Sequence, residues 1–155
     1  AALTESELAD APRILIVTSR YYAHITAELE AGVVEGLDKV GATHEFLEVP
    51  GAFEIPGAIA MAAQTGEWDG FVALGCVIRG ETSHYDLICE QVAHGLMELS
   101  ISGVPLGFGV LTVENEEQAK VRADRKQKNK GAEVVAAVLR MVGLSYRFNK
   151  GAEHE

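Results

Sequence analysis

Residues 71–77 (FVALGCV) contain no polar side chain. A strand of that composition suits a place where both faces are covered, as in the interior of a parallel sheet. Parallel neighbours require long crossover connections, usually helical, and the rest of the chain supplies them. Residues 13–19 (RILIVTS) are a second short apolar run, β-rich enough for a buried strand. Residues 43–49 (THEFLEV) alternate polar and apolar, as a half-buried or edge strand does. Residues 104–112 (VPLGFGVLT) read as another strand, loosened by two glycines.

Helical periods lie between these runs. Residues 23–41 carry Ile25, Leu29, Val33, Val34, Leu37 and Val40 at helical spacing, and Gly41 closes them as a C′ residue would. The turn Pro50-Gly51-Ala52 leads into a helix with Pro56 in its first turn, running to about Thr65 and ended by Gly66. Ser83 to Ile101 forms the next helix, with Ser83 as N-cap and Asp86 as its capping partner. Asn115 caps another, partnered by Gln118, and the last covers roughly Lys130 to Val142. The alternation predicts right-handed βαβ crossovers and a three-layer α/β fold: a doubly wound, mainly parallel four-stranded sheet with helices on both faces.

The chain has 155 residues, 48% of them hydrophobic, which is enough for one sizeable core and excludes disorder. Residues 13–155 are expected to form a single domain. Residues 1–12 (AALTESELADAP) are acidic and lack both a basic and an apolar region, so they read as a disordered lead-in and not a signal peptide. No apolar run approaches the roughly 20 residues of a membrane span, and a cytoplasmic protein is expected. The net charge of −10 makes nucleic acid and anionic membranes poor partners. Against this balance, Lys120, Arg122, Arg125, Lys126, Lys128 and Lys130 place six of the 13 basic residues in one stretch. That stretch is either a solvated helix end or a face turned to a small anionic ligand. Cys76 and Cys89 both sit in apolar runs and read as buried small hydrophobes. With His84 and Asp86 they match no metal-ligand spacing.

In doubly wound sheets, ligands sit beyond the carboxyl ends of the strands. Four turns fall there: residues 19–22, 50–54, 77–84 and 112–115. The third is the most informative. An apolar strand stops at Arg79-Gly80, and a polar turn, Glu81-Thr82-Ser83, opens a helix with His84 in its first turn. Free N–H groups at a helix start attract anions, and an imidazole moves protons near neutral pH. Each residue also has a plainer reading: His84 as a cap or surface histidine, Arg122 as an exposed helix charge, Tyr21 and Phe53 as core aromatics. Neither GxGxxG nor GxxxxGK[ST] is present.

The motifs PGAFEIP (50–56), GCVIRGETSHYD (75–86), FGVLTVENEEQA (108–119) and NKGAE (129–133), in this order, resemble the lumazine synthase family. The resemblance implies a flavodoxin-like fold and the penultimate step of riboflavin biosynthesis. In that step 5-amino-6-(D-ribitylamino)uracil condenses with 3,4-dihydroxy-2-butanone 4-phosphate to give 6,7-dimethyl-8-ribityllumazine. It also implies that no metal or organic cofactor takes part. His84 would then move protons, and Arg122 would bind the phosphate together with the backbone of Gly80, Glu81 and Thr82. Tyr21 would stack on the pyrimidinedione. Ala52, Phe53 and Glu54, with Cys76, Val77 and Ile78, would contact the substrate, Glu54 through ribityl hydroxyls. Phe108 and Lys130 resemble residues contributed by a neighbouring subunit.

Three departures stand out. SRYY (19–22) differs from the commoner RF-N pattern, Glu81 puts a carboxylate beside the phosphate turn with its side chain expected to point away, and ADRKQKNKG (123–131) lacks the small-residue kink of 60-subunit members. A homopentamer is therefore favoured over a decamer, with a capsid last. A non-catalytic lumazine- or flavin-binding paralogue, or an assembly scaffold of the same fold, is the alternative reading.

Overall fold

Four strands pair in the order β2-β1-β3-β4, all parallel, in a computed structural model that describes residues 11–80 and 84–153. They are β1 (Arg13–Ser19), β2 (Thr43–Val49), β3 (Gly70–Ile78) and β4 (Leu106–Val113). Helices α1 (Ala23–Lys39), α2 (Ile55–Ala63), α3 (His84–Ile101), α4 (Glu116–Ala123) and α5 (Lys130–Glu153) connect and follow them, and a 3-10 turn (Ala52–Glu54) precedes α2.

The polar-free run is the inner strand its composition demands. Side chains alternate between faces along a strand, so β1 and β3 feed two cores. Ile14, Ile16, Val72 and Leu74 pack with Leu29, Val33, Val135 and Val138 of α1 and α5. Leu15, Val17, Phe71 and Ala73 pack with Ile55, Ile59, Val92 and Leu96 of α2 and α3. Burying each large aliphatic or aromatic side chain contributes roughly 1.5–3 kcal/mol, and most of these are fully buried. The alternating residues 43–49 lie at the sheet edge, where Phe46 and Leu47 remain 40% exposed.

Local signals act as their chemistry requires. Gly41 adopts φ +72°, and the N–H groups of Ala42 and Gly41 donate to the carbonyls of Leu37 and Asp38, closing α1 in a Schellman motif. The side chain of Asn115 accepts from Gln118 N–H at 2.9 Å, and Gln118 Oε1 accepts from Glu114 N–H at 2.9 Å. Two boundaries differ from expectation. Helix α2 ends at Ala63, because Thr65 turns its hydroxyl back onto the Ala62 carbonyl. Helix α5 continues past Val142 to Glu153, with Gly143 buried within the helix.

Helices α1 and α5 approach through glycine. A Cβ on Gly131 would lie 2.8 Å from the Leu29 carbonyl oxygen, 2.9 Å from Gly32 Cα and 2.9 Å from Val33 N. All three are backbone atoms, so no rotamer change relieves the overlap. Gly131→Ala is expected to cost about 1–3 kcal/mol through a forced helix displacement. A thermal melt should show Tm lowered by several degrees; an unchanged Tm would mean the two helices separate freely.

Candidate active site at the carboxyl ends of the strands

The end of β1 is held by a guanidinium. Arg20 donates to Glu30 of α1 at 2.8 Å and to Glu48 of β2 at 3.3 Å, and Thr26 Oγ1 donates to the Ser19 carbonyl at 3.1 Å. Tyr21, the next residue, is left 78% exposed, with its ring edge-on to Tyr22 at 5.1 Å between centroids. Tyr22 is half-buried against the α1 and α5 core, and burial raises its phenol's pKa. The paired tyrosines thus have different surroundings: Tyr22 is anchored, and Tyr21 presents a free face.

After β2, Ala52 of the 3-10 turn and Ile55, the first residue of α2, take the inward positions, at 9% and 0% exposure. That leaves Phe53 facing out at 55%, not in the core as its type alone suggests, with Glu54 exposed beside it. At the end of β3, Cys76 packs into the α1 and α5 core while Val77 packs toward α2 and α3. Burial, reinforced by the charge of Glu116, pushes the Cys76 thiol up to about 11. It therefore carries no thiolate at neutral pH, and only its backbone is open to a ligand. Cys89 is half-buried and not the fully buried hydrophobe expected. His84 opens α3 and is exposed. Glu81, Thr82 and Ser83, with the phosphate turn and the N-cap assigned to them, lie outside the described residues.

A second cluster follows β4. Phe108, Val110, Leu111, Thr112, Arg122, Lys128, Lys130 and Glu133 line a groove of about 280 Å³. Three cations face one carboxylate there, and Lys130 Nζ lies 3.5 Å from Glu133. Arg122 reaches the Thr112 carbonyl by a long contact of 3.5 Å. Its guanidinium therefore keeps donors for an anion, and the fork geometry suits phosphate.

The basic stretch divides by partner. Arg125 is held by Glu28 and Glu35 of α1, each at 2.8 Å. Its role is to fasten the turn between α4 and α5. Lys120 and Lys126 line a different groove with His24. Only Arg122, Lys128 and Lys130 face the groove along β4. An anionic ligand beside β4 would thus meet only Arg122, Lys128 and Lys130 of the stretch.

Tyr21, Ala52, Phe53, Glu54, Cys76, Val77, Ile78 and His84 thus gather at or just beyond the ends of β1, β2 and β3, whereas Phe108, Arg122 and Lys130 line the groove beside β4. Among the described residues none of the first group lines that groove. The two groups stand one strand apart, since Val77 pairs with Thr112 and Ile78 with Val113. Sequence reasoning missed Arg79 and Tyr85, which bridge them. The signal was an arginine immediately before the turn glycine, with an acid at Asp86.

A flavodoxin-like sheet that carries an imidazole and a cationic groove at its carboxyl end has the build of an enzyme for small anionic substrates. The family model for 6,7-dimethyl-8-ribityllumazine synthase matches residues 11–145, and the chain belongs to that family. It is 49% identical to the 6,7-dimethyl-8-ribityllumazine synthase of Sphingopyxis alaskensis over 138 residues, 89% of this chain and 98% of that protein. The synthase of Erythrobacter litoralis is 49% identical, covering 88% of this chain and 97% of its own length. That of Zymomonas mobilis is 46% identical, with 88% and 99% covered. Among the described residues no helix is long and apolar enough to cross a membrane.

Proposed function

We propose that the protein condenses 5-amino-6-(D-ribitylamino)uracil with 3,4-dihydroxy-2-butanone 4-phosphate to give 6,7-dimethyl-8-ribityllumazine in the cytoplasm. The observation that carries the reading is the groove beside β4, where Arg122, Lys128 and Lys130 offer positive charge next to the exposed ring of Phe108. In this reading the butanone phosphate is held there, with its phosphate on Arg122 and on the backbone of Gly80, Glu81 and Thr82. The pyrimidinedione stacks on Tyr21 and is read by the backbone of residues 52–54 and 76–78, while Glu54 bonds the ribityl hydroxyls. The amine attacks the ketone, a Schiff base forms, phosphate leaves, and ring closure expels water. His84 moves the protons of imine formation and elimination.

The groove beside β4, and Phe108 and Lys130 with it, opens onto the site of a neighbouring copy in a homopentamer, where the ends of β1 to β3 complete it. Two features support this. The two groups of residues do not share a groove within one chain, and Phe53, Met61, Leu87, Met97 and Ile101 leave apolar surface around α2 and α3 uncovered, at 52–79% exposure. Mixing purified protein with both substrates tests the reading by the absorbance and fluorescence of the lumazine. Ligand binding without product would favour the non-catalytic paralogue. Assembly without ligand binding would favour a scaffold.

A further inference from the structure

One guanidinium outside the groove is engaged on three sides. Arg79 follows the last residue of β3, and its backbone N–H donates to the Val113 carbonyl at 2.9 Å, extending the pairing with β4. Its Nη2 lies 3.2 Å from Asp86 Oδ1 in the first turn of α3, and its Nε lies 2.9 Å from Glu114 Oε2, just past β4. Its Cζ stands 4.6 Å from the ring centroid of Tyr85. The guanidinium therefore clasps the strand that enters the turn and the helix that leaves it, and pins both to the end of β4.

Stability does not explain this arrangement. Arg79, Asp86 and Glu114 are 42%, 58% and 59% exposed at their side chains, and exposed ion pairs contribute little. What three partners fix is orientation, because a planar fork with an aromatic beneath it has few ways to lie. The residue preceding Tyr85 and Asp86 is His84. We propose that Arg79 is a positioning residue for His84, setting the first turn of α3 against the β4 end where Arg122 docks. The proposal rests on the reaction assigned above to this site.

Arg79→Ala should lower kcat on the order of 10-fold, as small misplacements of a reacting group do, with KM for both substrates within about 2-fold and Tm unchanged. Arg79→Lys should fall between, since a point charge cannot hold two carboxylates and stack on a ring at once. Glu114→Gln, which leaves α3 and Arg79 in place, should lower kcat in the same direction. The decisive comparison is with His84→Ala. Adding Arg79→Ala to that variant should slow it no further, because the arginine acts through the imidazole. The proposal is overturned if the double variant is slowed by the full factor, if kcat is unaffected, or if only KM for the butanone phosphate rises, which would place Arg79 on the phosphate itself. If the parent protein forms no lumazine at all, the assigned reaction fails, and the positioning role falls with it.

Discussion

Replacing His84 with alanine should slow turnover on the order of 10²-fold or more, the usual loss when a general acid–base group is removed. KM for the pyrimidine should stay near the parent's. The split follows from where the residue sits. His84 opens α3 and is exposed, so its removal leaves both cores intact. The proposed pyrimidine contacts come from Tyr21 and the backbone of residues 52–54 and 76–78, none of which needs the imidazole. Imine formation and phosphate loss each need a proton moved. Among the described groups near the ends of β1 to β3, Cys76 stays a thiol near neutral pH, the phenol of Tyr22 is raised further by burial, and the imidazole of His24 is engaged by Glu116. Steady-state kinetics with each substrate varied in turn is the measurement. Full activity in His84→Ala would remove the imidazole from the chemistry.

Arg122→Ala should raise KM for the butanone phosphate by on the order of 10–100-fold, matching the loss of a charge-assisted hydrogen bond. KM for the pyrimidine should change far less. Among the described residues, Arg122 makes a single long hydrogen bond, 3.5 Å to the Thr112 carbonyl, so little in the fold depends on it. Lys128 and Lys130 remain in the groove and keep part of the attraction, which caps the loss. Arg122→Lys should recover some affinity and lose the two-point geometry. The contrast comes from Arg125, three residues on. Its guanidinium holds Glu28 and Glu35, so Arg125→Ala should act on the seating of α4 and α5 before it acts on KM. If both substitutions act alike on the phosphate KM, the groove has been misread.

These two arginines show what was legible in the chain and what was not. The polar-free run 71–77 declared an inner strand because its chemistry allows no other comfortable place, and it is one. Gly41 and the Asn115 and Gln118 pair were legible for the same reason: their geometry is decided within a few residues. Which arginine is structural is decided by Glu28 and Glu35, separated from Arg125 by 97 and 90 positions. No local pattern reports such a partner. Phe53 shows a similar failure, since hydrophobicity says core while the 3-10 turn and the start of α2 give the inward positions to Ala52 and Ile55. The run of α5 to Glu153 also escaped, because the apolar spacing that marks the helix stops at Val142. The motifs around His84 and Arg122 pointed to a shared location, but the clasp of Arg79 on Asp86, Tyr85 and Glu114 emerges only once β3 and β4 lie side by side.

Each group assigned to the chemistry hangs from the last residues of a strand or the first of a helix, while the two cores are filled from strand middles and helix flanks. The two tasks are therefore separable. On the proposed assignments, a change at Tyr21, Glu54 or Arg122 should alter what is bound without reopening the hydrophobic interior, leaving lineages built on this frame free to retune their ligands one position at a time.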